Sequence, residues 1–405
     1  MEHQVKIVIG ANYGDEGKGL MSRYFTKEFL KAGKKPVTVF YNGSAQRGHT
    51  ADYEDGTRHV FHNFCAGAKE GRATFYASTF RVHPMDFCRE LGELNYLPLV
   101  YCDPSCVIVT PFDMLADQII VDFNAAKTGK REYGSCCYGT WSLVDRINAE
   151  PMTVGKYKDS LYWNWVSEMV DWFDERLKSF GVEPDAVPQW KDYIEHRNAL
   201  IGIAYHFKAD MDQFMDTIRP SYNIEIMLKF DGIIFEGAQG LGLDLDRHYS
   251  EKWPTTSSTG LKNPKRFLER CSVPFDAEVC YVTRTYLTRH GDGPLPGECE
   301  KSTLRYLVDD VVDKTNVWNP FQGGLRYAPL DVDALRKRIE TDFGSDWMQE
   351  KGQYTPTIAL THCNEVEIPV FGETYRSYKP HEAFKLETGG CIESHKAREL
   401  ILGHD

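Results

Sequence analysis

Short, uninterrupted apolar runs that end in polar or glycine-rich loops recur along the 405-residue chain. The first, VKIVIG (5–10), is β-branched and closes on glycine, as a buried strand feeding a loop does. GLMSRYFTKEFLKAG (19–33) follows with apolar residues at helical spacing and stops at Gly33. PVTVFYNG (36–43), GIIFEGAQG (232–240) and TPTIALTHCNEVE (355–367) predict three more strands, each running into polar residues. Strand, glycine loop, helix and strand in that order predict an α/β fold with a mostly parallel, largely buried central sheet and flanking helices. In such sheets ligands sit in the crevice beyond the carboxyl ends of the strands. All four strand ends carry residues capable of chemistry there. The stretch from about 155 to 230, which includes LYWNWVSEMVDWFDERLKSF, reads as a helical insertion whose aromatics build a core. No internal repeat or low-complexity linker interrupts the pattern, so residues 1–405 read as one sheet-centred domain.

Composition narrows the class. With 42% hydrophobic and 26% charged residues, the chain is that of an ordinary globular protein. A net charge of −12 argues against a general affinity for nucleic acid, while leaving room for a local basic pocket. No run of about 18 uncharged apolar residues predicts a membrane span. The start, MEHQVKIVIG, lacks the basic and small-residue features of a signal peptide. Eleven scattered cysteines without a C-x-x-C pair read as reduced thiols of a cytoplasmic protein.

The loop GANYGDEGKGL (10–20) holds the densest chemistry. A Walker A loop requires G-x-x-x-x-G-K-[ST], whereas here Lys18 is followed by Gly19. Backbone N–H groups around Gly14, Gly17 and Gly19, a helix N-terminus and the Lys18 charge can still hold phosphate. Asp15 offers a general base or a Mg2+ ligand. A capped helix start carrying incidental acids is the alternative reading of this loop taken alone.

Strand plus GDEGKG resembles the opening of the adenylosuccinate synthetase family. NGSAQRGHT (42–50), FEGAQGLGLDLD (235–246), WPTTSST (253–259) and TRHGDGPLP (288–296) resemble later family segments in the same order. The resemblance implies a ligase that phosphorylates the 6-oxygen of a purine nucleotide from a nucleoside triphosphate and displaces phosphate with L-aspartate. It implies Asp15 as base at purine N1, His49 as acid or electrostatic aid at the 6-oxygen, and Lys18 and Gln239 as further catalytic residues. Gln239 would orient the 6-substituent. Mg2+ would be held by Asp15 and the Gly48 carbonyl. Gly14, Glu16, Gly17, Gly19, Ser135 and Thr256 would contact nucleotide or phosphate, and a homodimer would lend Arg146 to the neighbouring subunit's nucleotide.

Three departures bear on the substrates. The family's arginine-rich aspartate loop is replaced by TNVWNPFQGGLRYAPLD (315–331), leaving Arg326, with Arg284 and Arg289 as helpers, to hold the amino acid. The carboxylate with which the family reads guanine in its phosphate donor is replaced by Asn364, in THCNEV, whose mixed donor and acceptor suit adenine. A turn-capping asparagine is the alternative. Both features are similar to the phage PurZ-like branch, which couples aspartate to dGMP towards 2-aminoadenine DNA, although that branch usually has Ser where this chain keeps Asp15. The favoured expectation is therefore dGMP or GMP with ATP. IMP with GTP is the alternative, and an inactive nucleotide-binding paralogue a remote one.

Overall fold

The computed structural model describes residues 3–52, 56–147, 151–246, 254–304, 316, 318–344, 354–362 and 389–392. Nine strands form the central sheet: β1 (His3–Gly10), β2 (Pro36–Phe40), β3 (Ala73–Tyr76), β4 (Leu99–Cys102), β5 (Ile218–Pro220), β6 (Gly232–Glu236), β7 (Phe275–Arg284), β8 (Tyr354–Thr361) and β9 (Gly389–Ile392). Their spatial order is β9-β8-β7-β1-β6-β2-β3-β4-β5. Every pairing is parallel except β8 with β9, so the expected α/β sheet is present. The three later apolar runs form strands that give way to polar residues, as expected. The ladders stop at Phe40, Glu236 and Thr361, and the described polar residues that follow the first two leave the sheet as loops at its carboxyl edge.

Both faces are covered, which is why the strands read as apolar runs rather than alternating ones. On one face α1 (Lys18–Lys31) packs Met21, Phe25 and Phe29 against Val8, Ile234 and Val282. On the other, Ile7, Val39, Phe235 and Val279 share a core with Leu261, Leu268, Leu335 and Ile339. A further core gathers α2 (Pro111–Thr128), α4 (Tyr162–Ser179) and α5 (Arg197–Thr217) through residues such as Phe112, Phe173, Phe207 and Met211, while α3 (Thr140–Ile147) is joined to α2 by the Arg146–Asp113 pair. The helical run ends at Thr217. The chain then rejoins the sheet edge at β5, inside the stretch read as wholly helical. No described helix is long and apolar enough to cross a membrane.

Candidate active site

Between β1 and α1 the chain turns on three positive-φ residues: Gly14 at 100°, Asp15 at 56° and Gly17 at 90°. A non-glycine residue in that region is held there by its surroundings, and such positions cluster at functional sites. The holding groups are visible. Thr361, ending β8, donates to the Glu16 carbonyl at 2.7 Å, and Arg284, ending β7, donates to the Asp15 carbonyl at 2.5 Å. Arg338, on α6 (Val332–Phe343), donates to the Ala11 carbonyl at 3.2 Å and to the Asn12 side chain.

The two loop acids part ways. The Glu16 carboxylate folds back inside the loop and accepts from the N–H groups of Asn12 at 2.6 Å and Gly14 at 3.3 Å. Burial pushes its pKa up to about 7, although Lys18 opposes the rise. Asp15 keeps its side chain a third exposed, at 33%, on the cavity wall. A carboxyl with a raised folded pKa contributes stability that is complete below its unfolded value near 4.5 and lost as pH rises through about 7. Denaturant titrations should therefore show stability falling between those values, and Glu16→Gln, which cannot ionise, should flatten that part of the profile.

Lys18 opens α1 and is buried; burial lowers its pKa while Glu16 and Asp15 resist. At Gly19 a side chain would place its Cβ 2.7 Å from the Cβ of His49. The Walker hydroxyl is absent because an imidazole packs against that point of the helix.

His49 begins a hairpin strand, His49–Asp52, paired with Arg58–Phe61. Its Nδ1 donates to Glu236 at the end of β6, and both residues are buried. Burial lowers the His49 pKa and Glu236 partly offsets this. Burial also works against the Glu236 charge, but His49 and Arg47 bring its pKa below the ordinary glutamate value. Arg47 lies 3.8 Å from Glu236 and stacks 3.9 Å from the Phe40 ring centroid. The dyad is thus an ionised carboxylate orienting an imidazole, with Nε2 the nitrogen left for the cavity that His49 lines.

That cavity, about 820 Å³, is lined by Gly14, Asp15, Glu16, Gly17, Lys18, Gly19, Gly48, His49, Ser135, Gln239, Thr256, Arg284 and Arg289. Gln239 is held at φ 55°, and its buried Oε1 has no hydrogen-bond partner among the described residues, so an acceptor awaits a ligand N–H. Thr256 hydroxyl and carbonyl both accept from Arg81, the latter at 2.6 Å, which fixes the loop that follows Pro254. Ser135 accepts from the Cys137 N–H at 3.0 Å. Arg289 is buried 4.9 Å from the Tyr13 ring, and burial lowers its pKa to about 10.

Two expected arginines are elsewhere. Arg146 is buried on α3, forming a bidentate pair with Asp113 at 2.8 Å through both Nε and Nη2, and bonding the Ile108 carbonyl at 3.0 Å. It is not among the residues lining the cavity of its own chain, and its buried ion pair ties α3 to α2. Arg146→Met should cost about 3–5 kcal/mol in chemical denaturation, because Asp113 is left buried and unpaired, with the KM for nucleotide unchanged. Arg326 is likewise engaged within the chain. Glu298 accepts from its Nε at 2.8 Å and also from its Nη2, while the Gly291 and Gly293 carbonyls accept from Nη1. Those bonds hold a turn, and the cations lining the cavity among the described residues are Lys18, Arg23, Arg47, Arg58, Arg284 and Arg289. Asn364 lies outside the described residues.

The residues that would hold Mg2+ fit that ion. Among the described residues no cluster of three or more His, Cys, Asp or Glu is gathered around a metal position. One partly exposed carboxylate and the Gly48 backbone on a shared wall suit a cation that keeps waters and takes its other ligands from phosphates.

Sequence reasoning passed over Glu236 and Arg47. Both lie inside stretches singled out for other residues, EGAQG and AQRGHT, and only the fold shows that they meet.

A family model for adenylosuccinate synthetase matches residues 7–315. The adenylosuccinate synthetase of Thermotoga maritima is 26% identical over 354 residues, covering 83% of this chain and 77% of that protein. That of Pseudoalteromonas translucida is 26% identical over 345 residues, with 82% and 74% covered. Among solved structures, fully ligated adenylosuccinate synthetase from Plasmodium falciparum shares the fold with a TM-score of 0.61 at 19% identity, covering 83% of this chain and 74% of that one. The cyanophage S-2L succinoaminodeoxyadenylate synthetase, PurZ, bound to dGMP and to dATP as energy donor, does so with a TM-score of 0.52 at 14% identity, covering 84% and 83%. The chain belongs to the adenylosuccinate synthetase family of C–N bond-forming ligases.

Proposed function

We propose that the protein joins L-aspartate to a guanine mononucleotide, dGMP or GMP, with ATP as phosphoryl donor. The observation that carries the chemistry is the convergence of three groups on one cavity: the Asp15 carboxylate, the Glu236-oriented His49 and the Lys18 glycine loop. Asp15 takes the N1 proton of the purine, so that negative charge gathers on the 6-oxygen, which then attacks the γ-phosphate. His49 stabilises that charge. Burial keeps its ring neutral, and the neighbouring Glu236 lets it gain a proton as anionic groups enter. Lys18 and the loop N–H groups hold the transferring phosphoryl. Mg2+ at Asp15 and Gly48 would neutralise phosphate charge when bound. Gln239 orients the 6-substituent, while Arg284 and Arg289 supply the cations a dicarboxylate requires. Displacement of phosphate by the amine then forms the C–N bond.

The choice of nucleotides rests on the sequence. Asn364 replaces a carboxylate that would accept from guanine in the donor, and an amide suits adenine. Retention of Asp15 favours a second reading, IMP with GTP. Phosphate release with Mg2+ and L-aspartate, crossing ATP and GTP against IMP, GMP and dGMP, separates them. Turnover with dGMP or GMP and ATP is expected. Turnover confined to IMP and GTP would overturn the substrate choice.

A further inference from the structure

The motif TRHGDGP places His290 at the end of a hairpin strand, Tyr286–His290, where it pairs with Leu325 of the remodelled segment 315–331. The turn beyond it is pinned from two sides: the Gly291 N–H donates to the Gln322 carbonyl at 3.0 Å, and the Asp292 N–H to the Tyr133 carbonyl at 2.5 Å. So anchored, the His290 ring lines the cavity with Nε2 3.6 Å from Asp15 Oδ2 and 3.4 Å from Asn316 Oδ1. Both neighbours of that nitrogen are oxygen acceptors, so it is the N–H side of the ring that faces them. Its Nδ1 is buried without a hydrogen-bond partner among the described residues. The polar contacts of the ring therefore lie on one side.

We infer that His290 is a positioning residue for Asp15: Asn316, 3.4 Å from Nε2, holds the ring, and the polar Nε2 edge 3.6 Å from one carboxylate oxygen draws that oxygen towards it by electrostatic attraction rather than by a hydrogen bond. A free carboxylate rotates about χ2 between equivalent oxygens. One held oxygen leaves the other as the single atom presented to the purine N1 proton, and such alignment carries a large share of a base's effect. Asn316 lies in the segment that stands where the family has its arginine-rich loop, so the same segment that lost those arginines supports the base. This role rests on the reading of Asp15 as base.

The test is steady-state kinetics on the full chain with Mg2+, L-aspartate and the nucleotide pair active in the wild type, for His290→Phe, His290→Gln and Asn316→Ala. Gln carries an N–H at the reach of Nε2, and Phe keeps the ring without it. Expected is a kcat lower by about 10- to 100-fold in His290→Phe, largely recovered in His290→Gln and lowered less in Asn316→Ala. All KM values should stay within about threefold, as expected where only transition-state alignment is lost. Unchanged kcat in His290→Phe would overturn the role, as would a loss confined to the KM for aspartate. Ligand-induced stabilisation by the mononucleotide reports folding of each variant. Asp15→Ala run alongside separates the two ideas: if it turns over normally the base assignment fails, and if it alone is inactive only the role of His290 fails.

Discussion

Asp15→Ala is expected to lower kcat by about 10³-fold, within the range usual for a positioned general base. The Asp15 backbone is held at φ 56° by Arg284 and by the Thr361 clamp on the neighbouring carbonyl, so losing the carboxylate removes chemistry without releasing the loop. The hydrogen bonds of Glu16 within the loop do not depend on the Asp15 carboxylate, while Lys18 loses one of the two acids that support its charge. Binding of the mononucleotide, followed by calorimetry, should persist within a few-fold. Undiminished turnover in this variant would remove Asp15 from the mechanism. Loss of binding along with turnover would make it a structural member of the loop.

The second large effect is expected at His49. His49→Asn keeps a side-chain N–H near the position of Nδ1 for Glu236 and removes Nε2. The buried Glu236 and Arg47 therefore stay compensated. A kcat lower by about 10²–10³-fold follows if Nε2 serves the charge developing at the 6-oxygen, and thermal unfolding should shift little. His49→Ala removes the donor as well, and should destabilise the fold because Glu236 then loses its closest cationic or N–H partner. Equal kinetics in His49→Asn and wild type would confine the imidazole to packing against Gly19.

The contrast between Arg146 and Arg289 shows what a linear motif conveys. Both were arginines near family-like segments, and both are buried. Arg289 lies in the strand Tyr286–His290, paired with Leu325–Pro329, and lines the cavity beside Tyr13. Arg146 sits on a helix whose partner helix carries Asp113, and a bidentate buried pair forms there instead. Spacing along the chain distinguishes neither outcome. Arg326 was drawn away in the same fashion by Glu298, 28 residues earlier in the chain.

The α/β class, the parallel sheet and the glycine-loop entry to α1 were determined by the sequence alone. Apolar runs ending in glycine or polar residues have few other ways to bury two faces at once. The grouping of Asp15, Lys18 and His49 was legible in the glycine loop and in the resemblance of the Gly-His-Thr segment, and the structure sets all three on one cavity wall. Only the tertiary structure decided which acid faces the cavity and which folds inward, since Asp15 and Glu16 differ by one residue and by the clamps from β7 and β8. It also decided the partners of those groups: Glu236 for His49, 187 residues away, and His290 for Asp15. Such pairings bring hairpins outside the central sheet to the loops and strand ends at its carboxyl edge, far away in the chain, and hydrophobic pattern specifies burial, not which polar group meets which.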